Sequence, residues 1–470
     1  ADAPPSFVGQ LRGYQREALG WIRFLREFGF GGCLADDMGL GKTVVVLALL
    51  EARRVEAGRE RRPSLVVMPR SLVFNWMSEA ARFTPALQVL DFAQTDRRAG
   101  ASAVSGADVV LTTYGTVRRD VSFLQAEQFD YVILDEAQAI KNAGTATARA
   151  VRLLRGDHRL ALTGTPVENH LGELYSLFEF LNPGLLGTGR LFDRPKSSAA
   201  EVDRAHVENV ARGLRPFILR RTKDQVAPEL PPRTEETLYC ELDSKSRALY
   251  NELRDHYRSV LLQRVDRDGV ARSSFAILEA LLRLRQAACH SALLPGAPPA
   301  ASSAKFEVLL TRLAELAEEG RKALVFSQFT SLLALLRPRL DAAGRVHEYL
   351  DGHTRDRAGP VERFQTDPAC GLFLISLKAG GTGLNLTAAE NVFLLDPWWN
   401  PAVEMQAIDR THRIGQTKPV FAYRLVARDT VEERILELHA HKRALADAIM
   451  HPGDGGLRGL DRDDLEQLLT

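Results

Sequence analysis

Asp36-Asp37-Met38-Gly39-Leu40-Gly41-Lys42-Thr43 follows a short apolar run and opens an apolar stretch of helical character. Its residue types suit a polyphosphate. Gly39 and Gly41 carry no Cβ, so the backbone amides around them can wrap phosphate oxygens. Lys42 is placed to reach β- and γ-phosphates and Thr43 to hold Mg2+, and the helix N-terminus adds its dipole. The strict pattern G-x-x-x-x-G-K-[ST] is not met, because its first glycine position is Asp36. A glycine turn that happens to carry a lysine is the plainer alternative, and the strand–loop–helix context argues against it.

A second candidate stands further along. The apolar run 131–134 ends in Asp135 and Glu136, two adjacent carboxylates. Asp135 is placed to bind Mg2+, directly or through its waters, and Glu136 to orient or deprotonate an attacking water. By itself a strand ending in two acids is often only a solvated turn. Beside the lysine loop upstream, nucleotide hydrolysis is the better reading.

Such groups need a rigid frame, and the chain offers one. Short apolar runs recur at 33–35, 65–68, 109–111, 131–134 and 160–162, and again at 323–326, 372–375, 392–395 and 420–425. Continuous rather than alternating apolar runs, separated by helical patterns, predict buried parallel sheets. The expected fold is therefore α/β with two parallel-sheet lobes. Between the sets the spacing turns helical at 171–180 and 249–288. Residues 228–232 and 295–303, rich in proline and small residues, read as breaks. The expected division is 1–170 for a first lobe, 171–228 for its helical protrusion and 229–243 for a linker and last strand. A second helical protrusion then occupies 244–300, a second lobe 301–450 and an acidic tail 451–470.

With 470 residues, 45% hydrophobic and 26% charged, the chain is long enough for several buried cores. The composition excludes global disorder and disulfide-stapled miniature folds. The longest apolar run, 44–50, is far short of the roughly 20 residues of a membrane span, so no membrane partner is expected. Nothing near Ala1 has the layout of a secretion signal. Cys33, Cys240, Cys289 and Cys370 are scattered without paired spacing, which favours a reducing compartment, cytoplasmic or nuclear. The net charge is only +1, so any polyanion site must come from local clustering. Arg212, Arg215, Arg220, Arg221 and Lys223 form one such cluster, readable either as a phosphate-neutralising patch or as an ordinary solvated surface.

Taken together, these motifs resemble the Swi/Snf-type ATPases of helicase superfamily two, from residue 11 to about 435. Leu11-Arg12-Gly13-Tyr14-Gln15 resembles the family's adenine-reading motif, and 36–43 its first ATPase motif. The stretch 65–76, with Pro69-Arg70-Ser71-Leu72 and Asn75-Trp76, resembles motif Ia; Thr112-Thr113-Tyr114-Gly115 resembles motif Ib. Residues 135–142 match motif II, although its fourth position, often His, is Gln138. Residues 162–169 match motif III. Val325-Phe326-Ser327-Gln328-Phe329 resembles motif IV, and 376–386, with Gly380-Gly381-Thr382-Gly383, motif V. The most specific stretch is Asp396-Pro397-Trp398-Trp399-Asn400-Pro401, followed by Arg410-Thr411-His412-Arg413-Ile414-Gly415-Gln416. General helicases do not share it.

The resemblance implies two RecA-like lobes, each with a helical insertion, and ATP with Mg2+ as ligands. It implies nucleotide contacts from Gln15, Asp37, Met38, Gly39, Leu40, Gly41, Lys42, Thr43 and Gly383. Catalysis is assigned to Lys42, Asp135, Glu136, Arg410 and Arg413, the two arginines sharing one face if helical and matching the family's arginine fingers. Thr43 and Asp135 are the metal ligands. Arg70, Ser71, Thr112, Thr113, Ser327, Gln328 and Thr382 are the implied nucleic-acid contacts. Double-stranded DNA is the expected partner, with a DNA-bound polymerase, repair complex or nucleoid protein as a further one, and the chain is expected to be monomeric. Trp398 and Trp399 invite a base-stacking role, yet the neighbouring prolines favour packing. A strand-separating helicase on DNA or RNA is the alternative function. A non-hydrolysing nucleotide switch is disfavoured by the full set of catalytic residues.

Overall fold

Val66, Val67, Val110, Leu111, Val132 and Ile133 are all inaccessible to solvent, although neighbours along a strand point to opposite faces. Both faces of their sheet are therefore covered, which is why the runs read as continuous rather than alternating. The computed structural model describes residues 1–58, 61–92, 100–164, 171–187, 213–296, 303–354, 356–380, 384–398 and 401–441. It divides into one unit ending at Glu229 and a second starting at Leu230.

The first unit holds β1 (Gly32–Leu34), β2 (Ser64–Met68), β3 (Val89–Asp91), β4 (Val109–Thr113), β5 (Gln128–Leu134), β6 (Arg155–Leu162) and β7 (Ile218–Leu219). They form one parallel sheet in the order β3-β4-β2-β5-β6-β1-β7. Leu34, Val66, Leu111, Ile133 and Leu160 face a core shared with helices Gly13–Glu27, Lys42–Ala57 and Val73–Phe83. Cys33, Val67, Val110, Val132 and Ala161 face the other core, closed by helices Ala146–Arg152 and Leu171–Leu181. Each such side chain removed from water contributes roughly 1.5–3 kcal/mol.

The second unit repeats the scheme with β8 (Arg233–Cys240), β9 (Ala323–Ser327), β10 (His347–Leu350), β11 (Leu372–Ser376), β12 (Asn391–Leu394) and β13 (Val420–Ala427). Their order is β10-β11-β9-β12-β13-β8, again with parallel pairs. Helices Ser244–Asp268 and Val270–Cys289 meet at Gly269 and build a separate small core with Val431 and Ile435. Below them Lys305, buried at 1% exposure, pairs with Glu432 at 2.6 Å and donates to the carbonyls of Leu395 and Leu425.

The α/β class and the two parallel sheets expected from the sequence are what the chain adopts. The described parts of residues 171–228 join the body of the first unit. Helix Leu171–Leu181 buries Leu174, Leu177, Phe178 and Phe180 against the first sheet, and β7 pairs with β1. Residues 188–212 and the tail 451–470 lie outside the described residues. The four cysteines are buried free thiols. Among the described residues no helix is long and apolar enough to cross a membrane.

Candidate active site

Parallel strands end on the same edge, so the loops after β1, β2, β4, β5 and β6 share one side of the first sheet. The register sets them level: Leu34 lies beside Leu162, and Leu134 beside Ala161. The chain after β1 turns through Gly39 at φ +84° and Gly41 at φ +80°, left-handed values that favour glycine, and Lys42 starts the next helix. Lys42 Nζ donates to the carbonyls of Asp36 and Asp37. Burial lowers its pKa, an effect opposed by the carboxylates of Glu136, Asp36, Asp135 and Asp37.

Gln15 caps its own helix through the Arg12 amide at 2.9 Å and donates Nε2 to the Leu40 carbonyl at 3.1 Å. A Cβ on Gly41 would lie 2.6 Å from that Nε2. The adenine-motif residue is thus stitched to the phosphate loop. Asp36, the residue at odds with the strict glycine pattern, has a partner distant in sequence. Arg221 Nε donates to Asp36 Oδ1 at 3.1 Å, a second guanidinium nitrogen pairs with Oδ2, and a third donates to the Tyr14 carbonyl. The Lys223 amide donates to Asp37 Oδ2 at 3.0 Å. Neither reading of the basic cluster holds for Arg221, whose side chain is 11% exposed, or for Lys223, a residue 6% exposed. They are tied to the phosphate loop. Arg215 is exposed, and Arg212 lies outside the described residues.

At the end of β5, Asp135 is 8% exposed. Its Oδ2 accepts from Trp76 Nε1 at 2.8 Å, its Oδ1 from the Glu136 amide at 2.9 Å, and its carbonyl from the Tyr114 hydroxyl at 2.8 Å. Burial and the adjacent Glu136 push its pKa up to about 7, against the pull of Trp76 and Lys42. Glu136 adopts φ 52°, ψ 54°, a left-handed conformation that costs a non-glycine residue of order 1–3 kcal/mol. That turn follows the end of the strand at Leu134. Gln138 donates to Glu136 and accepts from Thr163 Oγ1 at 3.1 Å, so motifs II and III are bonded through the glutamine that replaces histidine. Gly164 lies against Met38; a Cβ there would approach Met38 Cγ to 2.5 Å.

In the second unit the helix Pro401–Ile408 stops before Arg410. Arg410 and Arg413 lie outside that helix, so the condition for a shared helical face is not met. Beyond them Gln416 donates Nε2 to the carbonyls of Thr387, Ala389 and Thr411, with Gly415 at φ +102° beside it. Arg410 is 6% exposed and Arg413 donates to the Leu384 carbonyl at 3.2 Å. Asp396 is fully buried, accepts from the Gln328 amide at 3.2 Å and faces Arg285 at 3.6 Å. Burial raises its pKa to about 6 in spite of Arg285, Ser327 and Lys305. Trp398 packs partly buried against the second sheet's core, in line with a packing role.

Residues 14–293 match the SNF2-related domain, and residues 304–415 the helicase conserved C-terminal domain. The chain belongs to the SNF2-related family. The resemblance read from the motifs is thereby borne out. A putative ATP-dependent helicase/translocase, YwqA, of Bacillus subtilis is 39% identical over 99% of this chain and 51% of its own length. The human SWI/SNF-related matrix-associated actin-dependent regulator of chromatin subfamily A member 1 is 36% identical over 96% and 45%. The chain spans about half the length, or less, of the curated relatives it matches. A Sulfolobus solfataricus SWI2/SNF2 ATPase core solved in complex with dsDNA is 35% identical over 99% of this chain and 98% of its own, with a TM-score of 0.48.

Within this SNF2-related chain, the first unit brings Gln15, Lys42, Thr43, Asp135 and Glu136 to one sheet edge. Of the implied nucleic-acid contacts, Arg70 is exposed and Ser71 and Gln328 are half-buried. Thr112, Thr113 and Ser327 are buried. Thr113 Oγ1 caps a helix by accepting from the Thr116 amide at 3.1 Å, and Ser327 Oγ accepts from the Phe329 amide at 3.0 Å. Thr382, Gly383, Trp399 and residues 165–169 of motif III lie outside the described residues. Trp76, Tyr114, Thr163 and Arg221 were not among the site residues read from the sequence. Each is a polar, aromatic or charged residue inside or beside a motif, but no spacing rule tied it to its partner.

Proposed function

We propose that this chain is the core of a motor that hydrolyses ATP and translocates along double-stranded DNA by tracking backbone phosphates. It remodels protein–DNA complexes or DNA topology without obligatory strand separation. One arrangement carries the reading: the Lys42–Thr43 loop and the Asp135–Glu136 pair on one sheet edge, with Glu136 bonded through Gln138 to Thr163. Membership of a family whose relatives include a putative ATP-dependent helicase/translocase supports it.

In this reading Lys42 neutralises the β- and γ-phosphates, the loop amides from Asp37 to Gly41 cradle them, and Gln15 reads the base. Thr43 and Asp135 offer the hard oxygen donors that suit Mg2+. Bound there, Mg2+ supplies charge neutralisation for the phosphates. Glu136 orients or deprotonates the attacking water. Arg410 and Arg413 act as arginine fingers on the developing charge. The segments that hold Arg70 and Ser71, Thr112 and Thr113, Ser327 and Gln328, and Thr382 contact duplex phosphates. The chain works as a monomer in cytoplasm or nucleus, on DNA that also carries a polymerase, repair complex or nucleoid protein.

ATP turnover compared across duplex DNA, single-stranded DNA and RNA, with strand-displacement and triplex-displacement assays alongside, tests this. Duplex should stimulate turnover and drive triplex displacement. Its apparent affinity should fall with log salt at a slope of about −0.9 per phosphate contacted. Stimulation only by single strands or RNA, with efficient strand displacement, favours the helicase alternative; stimulation by none removes the DNA-motor reading.

A further inference from the structure

Asp135 is the one carboxylate in the first unit that receives an aromatic donor on its side chain and another on its carbonyl among the described hydrogen bonds. Trp76 Nε1 reaches Oδ2 and the Tyr114 hydroxyl reaches the main-chain oxygen, each at 2.8 Å. The two donors come from the two segments assigned to nucleic acid in this unit. Trp76 lies on helix Val73–Phe83, directly after the short 3-10 turn Arg70–Leu72. Tyr114 follows Thr113 at the end of β4 and starts the helix Tyr114–Arg119.

We propose that Trp76 and Tyr114 are positioning residues that transmit engagement of the phosphate-tracking segments to Asp135, and so carry the stimulation of ATP turnover by duplex DNA. The inference rests on the function proposed above. Six residues of helical rise separate Arg70 from Trp76, roughly 10 Å of stiff backbone. Trp76 is 1% exposed in the core that holds Val45, Leu72 and Ile133. A close-packed core cannot absorb a shift of that helix without moving the indole, and the indole N–H is the donor on Oδ2. The Tyr114 ring is half-buried, and its bond fixes the peptide that joins Asp135 to Glu136. A nudge at either segment therefore reaches both the metal-binding carboxylate and the water-activating one.

Trp76→Phe and Tyr114→Phe keep an aromatic ring and delete only the donor. On the full chain, duplex affinity is measured with and without a hydrolysis-resistant Mg-ATP analogue, and analogue affinity with and without a mixed-sequence duplex. Linkage makes the two ratios equal, and coupled sites typically show about 5- to 150-fold. The ratio of turnover with and without duplex is read on the same preparations. Both variants should bind duplex alone as the wild type does, while the coupling ratio and the stimulation ratio fall toward one, furthest in the double variant. If Trp76→Phe loses its fold, Tyr114→Phe, nearly isosteric, decides alone. Wild-type coupling and stimulation in the folded variants overturn the inference. A wild-type chain that duplex does not stimulate removes the proposed function, and this inference with it.

Discussion

Lys42 and Asp135 are charges held where water serves them poorly, and burial moves their pKa values in opposite directions, Lys42 down and Asp135 up to about 7. Each is part of the other's compensation, with Asp36, Asp37 and Glu136 adding to the field at Lys42. Their neighbours differ in task. In the proposed function Lys42 bears on the phosphates, whereas Glu136, bonded to Gln138, bears on the water. Lys42→Ala and Glu136→Gln should both abolish hydrolysis yet part company in binding. Lys42→Ala should weaken ATP affinity; Glu136→Gln keeps an acceptor for Gln138 and should bind ATP normally. Single-turnover rates and equilibrium binding on both variants measure this. Near-normal turnover in either one would sink the assignment of its role.

Among elements, the phosphate loop is held from outside by the segment that follows β7. The Arg221–Asp36 pair has side-chain exposures of 11% and 3%, so removing one partner leaves a charge stranded in the interior. Losses of about 3–5 kcal/mol follow such changes, against about 0.2–1 kcal/mol for exposed pairs. Arg221→Ala should therefore destabilise the first unit by the larger amount and weaken ATP binding, because the Tyr14 carbonyl and the loop both lose their anchor. Adding Asp36→Ala should recover part of the loss, since a double-mutant cycle on contacting residues is not additive. Urea unfolding of the set measures it. A loss under about 1 kcal/mol for Arg221→Ala would class the pair with surface ion pairs.

For the whole molecule, the assigned catalytic residues are split between the two units. Gln15, Lys42, Thr43, Asp135 and Glu136 belong to the first, Arg410 and Arg413 to the second. Arg410→Ala should leave ATP binding largely intact while turnover collapses, by about 10³- to 10⁵-fold if it acts as an arginine finger. Duplex binding at low salt should persist, carried by backbone contacts. Nucleotide affinity, DNA affinity and turnover measured on one preparation separate this outcome from misfolding. Near-normal DNA-stimulated turnover in Arg410→Ala would place the finger elsewhere.

The central strands, the phosphate loop and the acidic pair were legible in the sequence because their signals are local. A strand covered on both faces must be apolar throughout, and a phosphate cradle needs glycines, a lysine and a hydroxyl in consecutive positions. The edge strands β3, β7 and β10 were not so legible, being short and half-buried, because an edge strand has only one neighbour to pack with; β8 lies where the sequence placed a last strand, within 229–243. Nor could spacing show that Thr112, Thr113 and Ser327 are buried, or that the helix ends at Ile408, before Arg410. Asp36 with Arg221 and Asp135 with Trp76 and Tyr114 belong to the same class. These pairs lie far apart along the chain, 185 residues in the case of Arg221 and Asp36. Sequence specified which groups can handle phosphate; only packing decided which distant side chains hold them, since a hydrogen bond is set by three-dimensional proximity and leaves no periodicity in the chain.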